Sequence, residues 1–320
     1  MSGTIILIAD GVQQSIVDAL ASRYACVGPL KTPTPEAVEA MAPADRRRIE
    51  VLVTLGSRSA PARLMDALPR LRLIACTGAG YDGVDVEYAQ GRGIAVTNSP
   101  CATGSSVADL AVELLINSVR GVADANEKLL RHGFMKPWPA RRGLTGRRIG
   151  IYGFGSIGQA VARRLQGFEV EIAYTSRSLR LGSEVEYRSS LLSLAEWSDA
   201  LILCVPANDQ TIGSVNGPIL TALGSEGHLV NVARGAVVDT PALCRALRAG
   251  TVAGAALDVF DPDFLPDLIA LPQVFLTPHI GGSTIEAEAA MQESVLANVE
   301  AHFLGRRFPS PVGDARGQKP

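Results

Sequence analysis

Three polar residues in the second half of the chain have the types and the placing for acid–base chemistry on a small anion: Arg234, Asp263 and His279. Each follows an apolar run of strand character. His228 to Val232 precedes Arg234, Val252 to Leu257 precedes Asp263, and Val274 to Thr277 precedes Pro278-His279. A guanidinium is planar, permanently charged and forked, so Arg234 can hold a carboxylate through two parallel hydrogen bonds and polarise a neighbouring carbonyl. His279 carries an imidazole, a side chain that suits a proton donor to a carbonyl. Of the four histidines it alone combines a place after a strand with adjacent glycines, Gly281 and Gly282, that leave it accessible. A carboxylate beside it, with Asp263 the candidate and Asp261 a substitute, would fix its tautomer and raise its pKa. Taken singly, the three also read as a surface arginine, a turn aspartate and a capping histidine. Together, however, all three follow strands of one nucleotide-binding sheet, which points to a site.

The stretch that must organise that sheet is Arg147 to Ser176. Arg148-Ile149-Gly150-Ile151-Tyr152 reads as a strand, Gly153-Phe154-Gly155-Ser156-Ile157-Gly158 as a turn, and Ile157, Val161 and Leu165 recur at helical spacing. Glu169 to Tyr174 returns as a strand. In such a βαβ unit Gly153 permits the tight turn and Gly155 lets backbone approach a pyrophosphate. Gly158 lets helix and strand close together, while Ser156 and Ile157 offer helix N-terminal N–H groups to the anion. A GxGxxG alone is weak evidence; the strand before it and the helix after it supply the context for dinucleotide binding. An NAD enzyme places an acid at the end of the second strand to bond the ribose 2′-hydroxyl. Here Tyr174-Thr175-Ser176-Arg177-Ser178, with Arg180 nearby, offers hydroxyls and guanidinium groups instead. This favours NADPH, with NAD possible if Arg177 merely faces solvent.

Upstream, strand candidates at Thr4 to Ala9, Tyr24 to Val27, Val51 to Leu55, Leu71 to Cys76 and Ile94 to Thr97 alternate with helical stretches, which argues for an open parallel sheet. The turn Thr77-Gly78-Ala79-Gly80-Tyr81 after the fourth strand reads equally as an anion nest and as a tight turn into a helix. Asn98-Ser99-Pro100 breaks the pattern, and a helix over Ser105 to Val119 marks a domain crossing. Asp109 and Glu113 on that helix read as a polar edge, since nothing basic or nucleophilic accompanies them. A connection containing Pro137-Trp138-Pro139 and Arg141-Arg142 leads to the glycine turn. Thr240-Pro241 reads as an N-cap with proline at the first helical position. Ser283-Thr284-Ile285-Glu286 reads as a capping box, opening a helix to about Leu304 that crosses back to complete the first domain.

The chain has 320 residues, 47% hydrophobic and 19% charged, which is enough for two cores. A formal net charge of −2 gives no general attraction to nucleic acid or anionic membrane, and neither partner is expected. The five cysteines are scattered, with no CxxC and no histidine at metal spacing, so buried reduced thiols and no metal site are expected. Met1 to Asp10 lacks a signal-peptide pattern and no apolar run approaches the roughly 20 residues of a membrane span, so a cytoplasmic location is expected.

These motifs together resemble the D-2-hydroxyacid dehydrogenase family and its glyoxylate/hydroxypyruvate reductase-like branch. The resemblance runs over nearly the whole chain. It rests on Gly78-Ala79-Gly80-Tyr81-Asp82, Val107-Ala108-Asp109, the glycine turn, Asn231-Val232-Ala233-Arg234-Gly235, Leu257-Asp258-Val259-Phe260 and Pro278-His279-Ile280-Gly281. The fold then expected is α/β with two open doubly wound parallel sheets. A flavodoxin-like substrate domain would take residues 1–98 and 283–320, and an inserted Rossmann dinucleotide-binding domain residues 99–282. By the resemblance, Arg234 binds a 2-oxo acid such as glyoxylate or hydroxypyruvate, and His279 exchanges the proton while the nicotinamide delivers hydride. Gly78, Ala79 and Gly80 grip the carboxylate through backbone N–H groups, Asp258 looks towards the nicotinamide amide, and the protein is a homodimer. Val205, Pro206, Thr211, Val232 and Ala233 complete the expected cofactor contacts. The family also includes transcriptional corepressors, so the alternative is a cofactor-sensing interaction module with little catalysis. Two departures stand out. Asp263-Phe264 replaces the usual Glu-Pro, and Thr103-Gly104 replaces Leu-Thr.

Overall fold

The computed structural model describes residues 4–30, 34–134 and 139–313; Pro137 and Trp138 of the connection and Met1 to Gly3 of the start lie outside the described residues. The chain divides into two compact units, Met1–Thr103 with Gly282–Pro320, and Gly104–Gly281. The first switch thus falls at the opening residue of the helix Gly104–Arg120 instead of at the Asn98-Ser99-Pro100 break, because that helix shares one core with Ile149, Ile151, Val161 and Leu165 of the second unit.

In the first unit β1 (Ile5–Ala9), β2 (Cys26–Leu30), β3 (Ile49–Thr54), β4 (Leu73–Cys76) and β5 (Ala95–Thr97) form a parallel sheet in the order β2-β1-β3-β4-β5. This is the flavodoxin-type order. All five residues of β1 are buried, as a strand covered on both faces by helices should be. β2 begins at Cys26 and not at Tyr24, whose ring stacks on Phe303 of the final helix at 4.8 Å. That helix, Ile285–Phe303, shares a core with the sheet through Met291, Val295 and Val299 against Ile6, Ile8 and Val53. The expected capping box does not form. Thr284 is the N-cap and accepts from the Ala287 N–H at 3.2 Å.

The second unit carries β6 (Arg148–Tyr152), β7 (Glu171–Thr175), β8 (Glu186–Tyr187), β9 (Ala200–Leu203), β10 (His228–Asn231), β11 (Gly254–Leu257) and β12 (Val274–Leu276), all parallel, in the order β12-β11-β10-β9-β6-β7-β8. The order reverses between β6 and β9, which is the topological switch point of a Rossmann sheet. The helix Gly104–Arg120 buries Ala108, Ala111, Leu114 and Leu115 in one core with Ile149, Ile151, Val161 and Leu165. Asp109 on its outer edge is not alone, since Arg164 of the neighbouring helix bonds it at 2.5 Å and Ser105 at 2.7 Å. Asp239, not Thr240, caps the helix Thr240–Arg248, accepting from the Ala242 N–H at 2.9 Å; its carboxylate is the better acceptor at that position. Among the described residues no helix is long and apolar enough to cross a membrane, and no cluster of His, Cys, Asp and Glu is arranged to hold a metal. The five cysteines are unpaired, but only Cys76 and Cys244 are fully buried. Cys101 is exposed, contrary to expectation, because it sits in the surface turn that links the units.

Candidate active site and cofactor cleft

The glycine turn between β6 and the helix Ser156–Leu165 has the three separate properties that its sequence requires. Gly153 adopts φ +99°, and a Cβ there would lie 2.7 Å from Val205 Cγ1 and 2.8 Å from the Cys204 carbonyl carbon. Gly158 lies so close to the Gly153 carbonyl that any side chain would collide with it. A Cβ on Gly155, by contrast, would meet nothing within 4 Å, so open space lies over its backbone. Gln159 Nε2 reaches back and donates to the Phe154 and Gly155 carbonyls, both at 3.0 Å. Those carbonyls are thereby turned towards the helix, and the N–H groups of Gly155 and Ser156 face the other way. No side chain caps this helix. Its positive end and exposed Ser156 are free to meet an anion.

Beside the turn is a cleft of about 790 Å³ lined by Gly153, Ser176, Arg177, Ser178, Pro206 and Thr211, among others. Arg177 and Arg180 line it and no Asp or Glu among the described residues does. The loop after β7 is shaped from beneath by Tyr174, which is fully buried and stacked on Phe154 at 3.9 Å. The Tyr174 hydroxyl accepts from the Arg180 N–H at 2.8 Å, and Ser176 Oγ donates to the Ser178 carbonyl at 2.7 Å. Thr211 spends its hydroxyl within its own loop, donating to the Pro206 carbonyl at 2.6 Å and accepting from the Asn208 N–H at 2.9 Å. It shapes the wall formed by Val205 and Pro206. Burial pushes the Cys204 thiol in that wall up to about 12, so it stays a neutral thiol.

Arg234, Asp258, Asp263 and His279 occupy the loops beyond β10, β11 and β12, which are adjacent in the sheet and in matched register at Asn231, Leu257 and Leu276. Side chains bind these loops together. Asn231, 1% exposed, donates to the Arg234 carbonyl at 3.0 Å and the Val259 carbonyl at 3.1 Å, and accepts from the Ala233 N–H at 3.0 Å. Gly235 rests on Phe260, where a Cβ would lie 2.5 Å from the carbonyl carbon. Val232 and Ala233 are buried under this loop, and the half-buried Arg234 donates to the Ala233 carbonyl at 2.7 Å.

The Asp258 carboxylate is bound into the histidine loop. It accepts from Thr277 Oγ1 at 2.6 Å and from the N–H groups of Ile280 at 2.8 Å and Gly281 at 3.0 Å. These bonds hold the loop in which His279 takes a left-handed conformation, φ +58°, uncommon for a residue with a Cβ, and its imidazole is exposed. The sheet thus gathers Arg234 and His279 on neighbouring loops tied together through Asn231 and Asp258. It does not join Asp263 to His279. Asp263 is exposed, no hydrogen bond or ion pair links the two among the described residues, and Asp261 is occupied in capping, accepting from the Asp263 N–H at 3.1 Å. Asn231 holds these loops and Gln159 the glycine turn, and no local pattern singles either out. Asn231 lies within Asn231-Val232-Ala233-Arg234-Gly235, but only the fold shows the two loops that it joins.

In the first unit the turn Gly78–Gly80 follows β4, with its three residues half-exposed. The Ser99 N–H donates to the Gly78 carbonyl at 2.9 Å and Asn98 Nδ2 donates to the Ala79 carbonyl at 2.6 Å.

The sequence profile of the D-isomer specific 2-hydroxyacid dehydrogenase NAD binding domain matches residues 112–281. The glyoxylate reductase of Pyrococcus furiosus is 41% identical over 277 residues, 82% of this chain and 82% of that protein. The hydroxyphenylpyruvate reductase of Plectranthus scutellarioides is 37% identical over 268 residues, 82% of this chain and 85% of the relative. Among solved structures, an NADPH-dependent glyoxylate/hydroxypyruvate reductase from Sinorhizobium meliloti, in complex with NADP and malonate, superposes with a TM-score of 0.92 at 36% identity, covering 100% of this chain and 99% of the other.

Proposed function

Because the chain belongs to the D-isomer specific 2-hydroxyacid dehydrogenases, we propose that it reduces small 2-oxo acids of the glyoxylate and hydroxypyruvate type to D-2-hydroxy acids, with NADPH preferred over NADH. The observation that carries this reading is the pair of loops that present Arg234 and His279, cross-tied by Asn231 and Asp258.

The residues beside the glycine turn fit a pyridine dinucleotide. Open backbone at Gly155 and the uncapped helix after it suit the pyrophosphate, and Ser176, Arg177 and Ser178 suit a ribose 2′-phosphate. When bound, NADPH supplies the hydride. Arg234 holds the 2-oxo acid in the forked geometry that lysine lacks and draws electron density from its carbonyl. His279 donates its imidazole proton to the oxygen that becomes the hydroxyl. Asp263 is assigned the carboxylate that favours the charged imidazole, on the strength of its place in the loop beside that of His279. Gly78 to Gly80 are assigned the substrate carboxylate.

The protein is further assigned as a homodimer. Support comes from the apolar side chains exposed on and just past the helix Val122–His132, where Leu130 and Phe134 are 77% and 81% exposed. Five unpaired cysteines suit the reducing cytoplasm. The function is tested by steady-state oxidation of NADPH and NADH against a panel of 2-oxo acids. The expected result is turnover of glyoxylate or hydroxypyruvate with a higher kcat/KM for NADPH. Turnover of neither acid would overturn the reading.

A further inference from the structure

The first two carbonyl groups of the turn Gly78–Gly80 are taken up by the residues that follow β5. Gly78 O accepts from the Ser99 N–H at 2.9 Å and Ala79 O from Asn98 Nδ2 at 2.6 Å, while the Gly80 carbonyl is pressed against Gly56, where no Cβ would fit. In a trans peptide the C=O of one residue and the N–H of the next point in opposite directions. The N–H groups of Ala79 and Gly80 are therefore turned away from Ser99 and Asn98. Among the described residues neither has a hydrogen-bond partner. The space over Gly78 is open, since a Cβ there would meet nothing within 4 Å. Consecutive unpaired donors beside open space make a concave anion-binding surface.

Asn98 is itself held firmly. It is 8% exposed, its N–H donates to the Ser310 carbonyl at 3.2 Å, and its carbonyl accepts from Ser310 Oγ at 2.6 Å. Ser310 is in turn gripped by Asn298 of the final helix, 1% exposed, whose Nδ2 donates to Ser310 Oγ at 2.8 Å and whose Oδ1 accepts from the Ser310 N–H at 3.3 Å. The last described residues run beside β5, with the Val312 N–H on the Val96 carbonyl at 2.8 Å. We propose that Asn98 is the positioning residue of the carboxylate clamp: it fixes the Ala79 peptide so that successive N–H groups face the substrate anion, and the Asn298–Ser310 pair from the far end of the chain holds Asn98 in place. This rests on the assignment of Gly78 to Gly80 to the substrate carboxylate.

The test compares native protein with Asn98→Ala and Ser310→Ala in steady-state NADPH oxidation with glyoxylate. A loosened hydrogen bond to a charged group is worth about a tenfold change in affinity. The expected result is a KM for glyoxylate raised about tenfold by Asn98→Ala and less by Ser310→Ala, with the KM for NADPH unchanged. An unchanged glyoxylate KM, or equal rises for both substrates, would overturn the proposal. If Asn98→Ala does not fold, amide spectra of the native protein with NADPH decide it. Titrated oxalate should shift the Ala79 and Gly80 N–H signals, and signals that stay in place would refute the clamp. Native protein that reduces no 2-oxo acid defeats the functional reading itself, whereas active native protein with an indifferent Asn98→Ala defeats only this inference.

Discussion

Arg234 and His279 could be picked out from the sequence because their chemistry is local: a fork-shaped cation and an imidazole, each after a strand. What fixes them could not. Asn231 and Asp258 act by bonding loops that are far apart in sequence, such as Asp258 to Gly281, and no local pattern states which carbonyl an amide will reach. Asp263 shows the reverse. Its spacing suggests a partner for His279, yet the Asp261 cap holds its backbone in a short turn and leaves its side chain in solvent. Replacing Asp263 by Asn tests the role assigned to it from its loop alone. If the carboxylate supports the charged imidazole during turnover, its loss should lower kcat/KM for glyoxylate by about tenfold with the KM for NADPH unchanged. An unaltered kcat/KM would remove Asp263 from the site and leave His279 to act without it.

Elements with strong periodicity were legible, and those that depend on neighbours were not. The glycine turn and the helices Gly104–Arg120 and Ile285–Phe303 declare themselves through glycine spacing and apolar stripes. The short helices Leu191–Trp197 and Gly217–Leu223 do not, because two turns leave too little periodic signal; they are stabilised by caps at Ser190 and Asn216 and by a shared core. The roles within the glycine turn separate experimentally. Gly155→Ala adds a methyl to open space, so the melting temperature should hold while NADPH binding, followed by fluorescence, weakens about tenfold or more as the methyl crowds the pyrophosphate. Gly158→Ala drives a methyl into the Gly153 carbonyl and should destabilise the protein by about 1–3 kcal/mol before any cofactor is added. If both variants melt alike and bind NADPH alike, the division of labour among the glycines is wrong.

Across the whole molecule, the alternation of strands and helices announced two parallel sheets, while the point of division depended on which core claims the helix Gly104–Arg120. The second unit also carries a proton-linked weakness unrelated to its chemistry. His228, at the start of β10, is 8% exposed and bonded through Nδ1 to Ser118 Oγ at 2.9 Å. Burial, with Arg147 and Arg141 nearby, pushes its pKa from 6.5 down to about 4. The folded state thus keeps it neutral where the unfolded chain takes up a proton. Its contribution to stability is whole above pH 6.5, falls as the pH drops towards 4, and amounts to about 3 kcal/mol in all. Denaturant unfolding should show the native protein losing about that much more than His228→Asn over this range. Equal losses would mean that another group governs the acid limb.

The central claim is that this fold performs hydride chemistry on a 2-oxo acid held by Arg234. It is tested most directly by following NADPH oxidation with glyoxylate for native protein and Arg234→Lys side by side. The account predicts turnover by the native protein and, with charge kept but the fork lost, a raised KM together with a lowered kcat. Native protein that binds NADPH tightly without turning over, or a lysine variant with unaltered kinetics, would contradict it.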